Sequence, residues 1–286
     1  MQKIQITTDS TCDLSPELIE KFGIAVLPLA VVTDDEHFDK VDMFPQDIFD
    51  YVAKTKKLPK TAARSIVDVQ EFFEQFTNNE QTVVHIGVGS QLSASYRNAV
   101  AAANEIGQDK VLVVDGNSLS TGTGLLVLYA ADLARAGKSA KQIATQVAER
   151  ANFVEASFVV DTLEYLYRGG RCSALSMFGA NLLKLKPRLQ VVDGKIAVTE
   201  KYRGKMEMVL KKYVDDTLAK FSNPDKKRCF VTHATADPAL VETIVDYVKQ
   251  KNIFEEVIAT CAGSTITSHC GQGTLGILYI NDGDKR

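Results

Sequence analysis

The stretch TVVHIGVGSQLSASYRNAVAAANEIGQDKVLVV, residues 82–114, decides the fold class. Thr82–Val88 is a short, nearly continuous apolar run, the pattern of a strand buried on both faces. It ends at Gly89-Ser90. An alanine-rich helix follows, from about Ser93 to Ile106, and then a second apolar strand, Val111–Val114. Asp115-Gly116 closes that strand, and a long helix, Ser120–Ala136, stops at Gly137. Strands alternating with crossover helices predict a parallel sheet covered on both faces.

The same grammar extends upstream. Ile4–Thr8 reads as a strand that ends in Thr8-Asp9-Ser10-Thr11. Ser15-Pro16 supplies an N-cap with proline at the first helical position, and that helix runs to Phe22 and stops at Gly23. Ile24–Val32 reads as one continuous strand. Pro45 opens a further helix. Leu58–Ser65 reads as a loop, and an amphipathic helix then carries Ile66, Val69, Phe72, Phe73 and Phe76.

Downstream the pattern changes. Ser139 caps a helix to about Asn152, Ala156–Val160 is a strand, and Thr162–Gly170 is a short helix ending in Gly-Gly-Arg. Asp193-Gly194 between Leu189–Val192 and Lys195–Thr199 is a strong hairpin signal, so this half has an antiparallel component. Lys205–Phe221 and Pro238–Lys251 read as helices. Cys229–Thr232, Val257–Cys261 and Thr274–Ile280 read as strands. The expected architecture is α/β with two lobes in close contact: residues 1–152 with a parallel sheet, and 153–286 with a mixed sheet.

The bulk composition narrows the function. The formal net charge of −3 over 286 residues lacks the basic excess of a nucleic-acid binder. Lys54, Lys56, Lys57 and Lys60 read as a solvated helix end. Five cysteines with no Cys-x-x-Cys pair argue for reduced thiols rather than a disulfide framework. No apolar run approaches the roughly 20 residues of a membrane span, and the start MQKIQITTDS has no apolar signal segment. The expectation is a cytoplasmic protein with no stable membrane insertion and at most transient contact with a bilayer.

Several catalytic signatures fail. Gly137-Lys138-Ser139 resembles the end of a phosphate-binding loop, but Asp132 stands where that loop needs glycine, and a helix precedes it. Gly271–Gly276 matches G-x-G-x-x-G but leads into a strand, not a helix, so it reads as a tight turn. His37, His85, His233 and His269 show no metal-ligand spacing, and His85 reads as a core residue. No Gly-x-Ser-x-Gly elbow is present. No catalytic residue, metal or cofactor is assigned.

What remains is a set of hydroxyl-rich loops at the carboxyl ends of strands: Thr8–Thr11, Gly89–Ser93 and Asp115–Thr123. Open parallel sheets bind ligands outside these ends. Ser93, at a helix start, suits an anion as well as it suits a simple cap. No arginine or lysine follows these strands closely, which favours a single carboxylate over a phosphate.

These motifs, taken in order, resemble a known family. Thr8-Asp9-Ser10-Thr11-Cys12-Asp13-Leu14, Lys60-Thr61-Ala62-Ala63-Arg64-Ser65, Leu92-Ser93-Ala94-Ser95-Tyr96, Asp115 with Ser118-Leu119-Ser120, Thr162–Leu166 with Gly169-Gly170-Arg171, and Ser268–Gly271 with Gly273–Gly276 are similar to those of the DegV family, in particular the fatty-acid-binding (FakB-type) subunit of bacterial fatty acid kinase. The resemblance covers essentially the whole chain. It implies two α/β lobes with a lipid tunnel between them and a long-chain fatty acid whose carboxylate is held by Thr61 and Ser93. It further implies a separate ATP-using kinase subunit that makes the acyl phosphate for phospholipid synthesis. Arg171, Arg203 and His269 are implied near the carboxylate mouth, His269 at the ligand and the two arginines in docking or phosphate stabilisation. As plain structure, Arg171 would be a helix C-terminal cation, Arg203 a hairpin-end charge and His269 a turn residue.

The sequence departs from the family where Ser-Gln-Pro becomes Ala62-Ala63-Arg64 and where Gly-Pro-Gly becomes Gly271-Gln272-Gly273. Ala94, Ser95 and Gly116 also replace residues usual in the family. The Thr61–Ser93 pair is intact. A different class of reading, a small-molecule hydrolase using Ser93 and His269, has no third group to orient the imidazole.

Overall fold

The apolar runs that opened the reading pair as expected. The computed structural model describes residues 3–172 and 185–283. Strands β1 (Lys3–Asp9), β2 (Ala25–Leu27), β6 (Gln81–Gly87) and β7 (Val111–Asp115) form an all-parallel sheet in the order β2-β1-β6-β7. β6 is buried along six of its seven residues, as the central strand of such a sheet should be. Helix α1 (Pro16–Phe22) begins at the Ser15 cap and ends at Gly23 in the left-handed region, φ 66°. Helices α3 (Ile66–Thr77) and α4 (Ser95–Ile106) cover one face, with Phe72, Phe73, Ala99 and Ala102 against Val83 and Val111.

The run Ile24–Val32 is not one strand. It breaks at Pro28-Leu29 into β2 and β3 (Ala30–Val32), because proline cannot donate into a ladder and the chain reverses partners there. β3 pairs antiparallel with β4 (Glu36–Phe38) and with β5 (Lys60–Ala62) in a small third sheet, order β4-β3-β5. The segment read as the loop Leu58–Ser65 therefore contains a strand, and Thr61 stands in it opposite Val31.

The second half forms a six-stranded mixed sheet from β8 (Val154–Val159), β9 (Lys186–Val192), β10 (Lys195–Tyr202), β11 (Pro224–His233), β12 (Glu256–Cys261) and β13 (Leu275–Asn281). The order is β10-β9-β8-β13-β11-β12, and β11–β12 is its single parallel pair. Asp193 and Gly194 both have positive φ at the β9–β10 turn, as the hairpin signal required. Helices α8 (Met206–Lys220) and α9 (Pro238–Gln250) cover the outer face of this sheet. On its inner face the residues Ala156, Phe158, Leu189, Phe230 and Leu278 share one core with Val84, Ile86 and Val114 of the first sheet. Helix α5 (Thr121–Arg135) lies between the two sheets, and its residues Leu125 to Leu128 are all buried. Gly122 and Gly124 permit that approach: a Cβ at Gly124 would stand 2.7 Å from the Cys12 carbonyl oxygen.

Helix α10 (Ser264–Cys270) has no counterpart in the sequence reading. Its sequence, STITSHC, is rich in hydroxyl and β-branched residues that favour caps and turns over helix interiors. Among the described residues no helix is long and apolar enough to cross a membrane.

Candidate functional site

The carboxyl ends of β1 and β6 meet α10, β5 and β10 around one cavity. Its polar chamber is lined by Thr61, Ser93, Arg171, Thr265 and His269, with Ala63 and Ala94 also on its wall. An adjoining apolar chamber is walled by Phe158, Leu166, Ala234, Ala262, Cys270 and Leu278. Leu119, Ile196, Ile266 and His269 line both chambers.

Thr61 and His269 stand 208 residues apart in sequence and are hydrogen-bonded, Oγ1 to Nε2, at 2.7 Å. Burial and the nearby Arg171 cation hold the imidazole pKa down at about 4, so it is neutral at pH 7. The other nitrogen, Nδ1, is buried and has no hydrogen-bond partner among the described residues. A proton on Nε2 leaves an unpaired acceptor at Nδ1 rather than an unpaired N–H. In that tautomer Thr61 accepts from His269 and turns its own O–H to the chamber. The ring packs on Gly169, where a Cβ would come within 2.4 Å of Nδ1. That contact explains the first glycine of Gly169-Gly170-Arg171. Gly170 adopts φ 71°, which turns the chain after α7 (Glu164–Arg168).

Arg171 is half-buried. Its Nη1 donates to the Gly169 carbonyl at 2.8 Å and its Nε to the Leu92 carbonyl at 3.3 Å. The guanidinium is thus fixed beside Ser93. Ser93 does not cap α4, since Ala94 holds the cap position; its Oγ accepts from the Ser95 N–H at 3.2 Å and meets Ser95 Oγ at 2.9 Å. Ser93 makes no hydrogen bond to His269, whose Nε2 is engaged by Thr61. The hydrolase reading required that pair, and the geometry removes it. Asp9 and Ser10 are structural: Asp9 accepts from the Thr11 and Val88 N–H groups, and Ser10 Oγ donates to Asp39. His85 is a core residue bonded to Thr7 Oγ1 at 3.0 Å, its pKa pushed down to about 4 by burial.

Arg203 is exposed in the connection between β10 and α8 and does not line the cavity.

In the apolar chamber the hydroxyls are engaged by protein. Thr232 Oγ1 meets Thr121 Oγ1 at 2.6 Å and Thr260 Oγ1 at 2.9 Å, and Thr274 Oγ1 donates to the Cys270 carbonyl at 2.8 Å. One chamber therefore offers hydrogen bonds and the other offers only surface. Among the described residues no group of three metal-ligating side chains converges.

The cavity is thus polar at one end and apolar at the other, a shape that suits an amphiphile with a single anionic end. The sequence profile of the uncharacterised DegV family matches residues 3–282. The chain belongs to the DegV family. A DegV domain-containing protein of Caldanaerobacter subterraneus is 30% identical over 282 residues, 98% of this chain and 99% of that protein. A fatty acid-binding protein of Thermotoga maritima is 29% identical, with 96% of each chain covered. A fatty-acid-binding DegV family protein from Thermus thermophilus superposes with a TM-score of 0.89 at 28% identity, covering 98% of this chain and all of the other. The DegV fold thus accounts for both sheets. The walls Leu119, Ile196 and Ile266 escaped the sequence reading. Leu119 and Ile266 are single apolar residues in hydroxyl-rich stretches, and Ile196 opens the short run Ile196-Ala197-Val198, so no periodicity marked them.

Proposed function

We propose that this chain binds one long-chain fatty acid and presents it to a separate ATP-dependent kinase subunit, which forms the acyl phosphate. The carboxylate lies in the polar chamber at Thr61, Ser93 and His269, beside Arg171. The acyl chain lies in the apolar chamber. The observation that carries this reading is the Thr61–His269 pair at the seam between a polar and an apolar compartment. Each buried methylene contributes about 0.8 kcal/mol, while the hydroxyls and the guanidinium offset the desolvation of the carboxylate. Fatty-acid binding by the Thermus thermophilus relative supports the ligand class.

The chain performs no chemistry of its own in this reading, and the kinase subunit supplies the nucleotide site. Arg171, at the mouth, is placed to meet a phosphate transferred to the carboxylate. Arg203, exposed and outside the lining of both chambers, suits docking. All five cysteines are free, which suits a reducing cytoplasm. A lobe boundary near residue 152 is consistent with β8 opening the second sheet at Val154.

Mass spectrometry of an organic extract of the purified protein tests the ligand. The expected result is one fatty acid per chain, reduced in a Thr61→Ala/Ser93→Ala variant. A protein that extracts empty and takes up no added fatty acid would end this reading. Hydroxylamine trapping of an acyl phosphate, formed only when loaded protein, kinase subunit and ATP are combined, tests the presentation step.

A further inference from the structure

We infer that the buried Asp13–Asp39–Lys40 cluster, outside the polar chamber, positions both members of the Thr61–His269 pair. The inference rests on the fatty-acid reading above. Neither aspartate touches the chamber, and both are almost fully buried, at 0% and 1% exposure. Burial of charge at this depth is costly unless each oxygen is matched, and here each one is matched by an element of the cavity wall.

Asp39 holds α10. Its Oδ1 accepts from the Ser264 N–H and from Ser264 Oγ, each at 2.7 Å. Asp13 Oδ1 accepts from the Gly263 N–H at 2.7 Å. Two carboxylates thus meet the N–H groups that open α10, where negative charge is favourable. These bonds account for a helix whose own sequence disfavours it, and that helix carries Ile266 and His269 into the cavity. Gly263 is the residue that allows the approach: a Cβ there would stand 2.6 Å from both Asp39 Oδ1 and Lys40 Cε.

The same carboxylates hold the opposite wall. Asp39 Oδ2 accepts from Ser10 Oγ at 2.8 Å. Ser10 Oγ accepts from the Leu29 N–H at 3.1 Å, and the Asp39 N–H donates to the Leu29 carbonyl at 2.9 Å. Leu29, which lines the polar chamber, is therefore clamped directly before β3, and β3 carries Thr61 opposite Val31. Asp13 Oδ2 accepts from Ser120 Oγ at 2.6 Å, which fixes the turn that places Leu119 in both chambers. Ser120 sits at φ 52°, ψ −144°, a conformation nearly confined to glycine. Lys40 Nζ lies 3.2 Å from Asp13 Oδ1 and supplies the compensating charge. One cluster therefore sets the distance across which a carboxylate would be gripped.

The test compares affinity for palmitate with affinity for methyl palmitate, which has the same chain and no anionic head. The proteins are wild type, Asp39→Asn and Gly263→Ala. General damage to the fold would weaken both ligands alike. Displacement of the Thr61–His269 pair would weaken the acid alone. The expected result is a fall of roughly tenfold in acid affinity, about the loss from one misplaced hydrogen bond to a charged group, with ester affinity unchanged. The His269 ring NMR signals should shift in both variants. Gly263→Ala keeps every charge, so agreement between the two variants assigns the effect to position. If both variants keep the wild-type acid-to-ester ratio, or lose both ligands equally, positioning by this cluster is overturned. Failure of wild-type protein to prefer the acid would instead remove the fatty-acid reading, and this inference with it.

Discussion

The two chambers of the cavity adjoin, yet they are built by opposite means. The polar chamber draws Thr61, Ser93, Arg171 and His269 from β5, the β6–α4 loop, the turn after α7, and α10. Each of these side chains is held by specific bonds. The apolar chamber is largely a surface of the second sheet and its loops, with Phe158, Leu278 and Ala234 packed in the common core. The first chamber would recognise a ligand by direction, the second by area. Head recognition should therefore collapse with single atoms, whereas tail recognition should change gradually with volume.

The largest expected effect follows from direction. Thr61→Ala/Ser93→Ala should weaken binding of a fatty acid by roughly 10²- to 10⁴-fold, from two hydrogen bonds to a charged group. Binding of the methyl ester should be unchanged. Calorimetric titration of both ligands reads the contrast, and equal losses for acid and ester would erase the distinction between the chambers.

Proton linkage gives the next effect. The folded pKa values of His269 and His85 lie near 4, below an unfolded value near 6.5. Between those values the unfolded chain binds more protons, so stability rises with pH through that window and is lost as pH falls from 6.5 toward 4. For fully buried His85 the loss approaches roughly 3 kcal/mol. Urea denaturation at pH 7 and pH 5 should show about 2 kcal/mol of that loss, reduced in His85→Phe. His269→Gln should reduce it by less, because that ring is partly exposed.

Volume gives a smaller, graded effect. Ala234→Val narrows the apolar chamber at a residue only 1% exposed. Excluding one or two methylenes from burial costs about 1 to 2 kcal/mol. An 18-carbon acid should therefore lose affinity while a 12-carbon acid does not, and a uniform loss across chain lengths would place the tail elsewhere. The smallest effect is expected at Arg203. Arg203→Ala should leave fatty-acid affinity within about twofold, a change under 0.5 kcal/mol, because its side chain does not line the cavity.

The two chambers also differed in how far the sequence disclosed them. The parallel strands β1, β6 and β7 were legible because burial on both faces leaves unbroken apolar runs, and Asp193-Gly194 announced its hairpin. The break of Ile24–Val32 carried a mark, Pro28, which the interior of a ladder does not accept, but nothing in the run disclosed that β3 would turn to new partners. Nor was α10, whose composition opposes a helix and whose N–H groups are met by Asp13 and Asp39 from far along the chain. Thr61, Ser93, Arg171 and His269 were found through ordered motifs, and their convergence depends on β5, which lies inside the segment read as a loop, and on α10. Arg203 lies in none of those motifs and does not line either chamber. The apolar walls Leu119, Ile196 and Ile266 left no local signature.

The central claim, head at the Thr61–His269 pair and tail among the inner residues of the second sheet, is tested most directly by a crystal structure with an ω-bromo fatty acid. Anomalous scattering locates the bromine without reference to the protein density. The account predicts bromine beside Phe158, Ala234 and Leu278, with the carboxylate within hydrogen-bond distance of Thr61 and Ser93. Bromine in the polar chamber, or a chain lying outside the cavity, would contradict it.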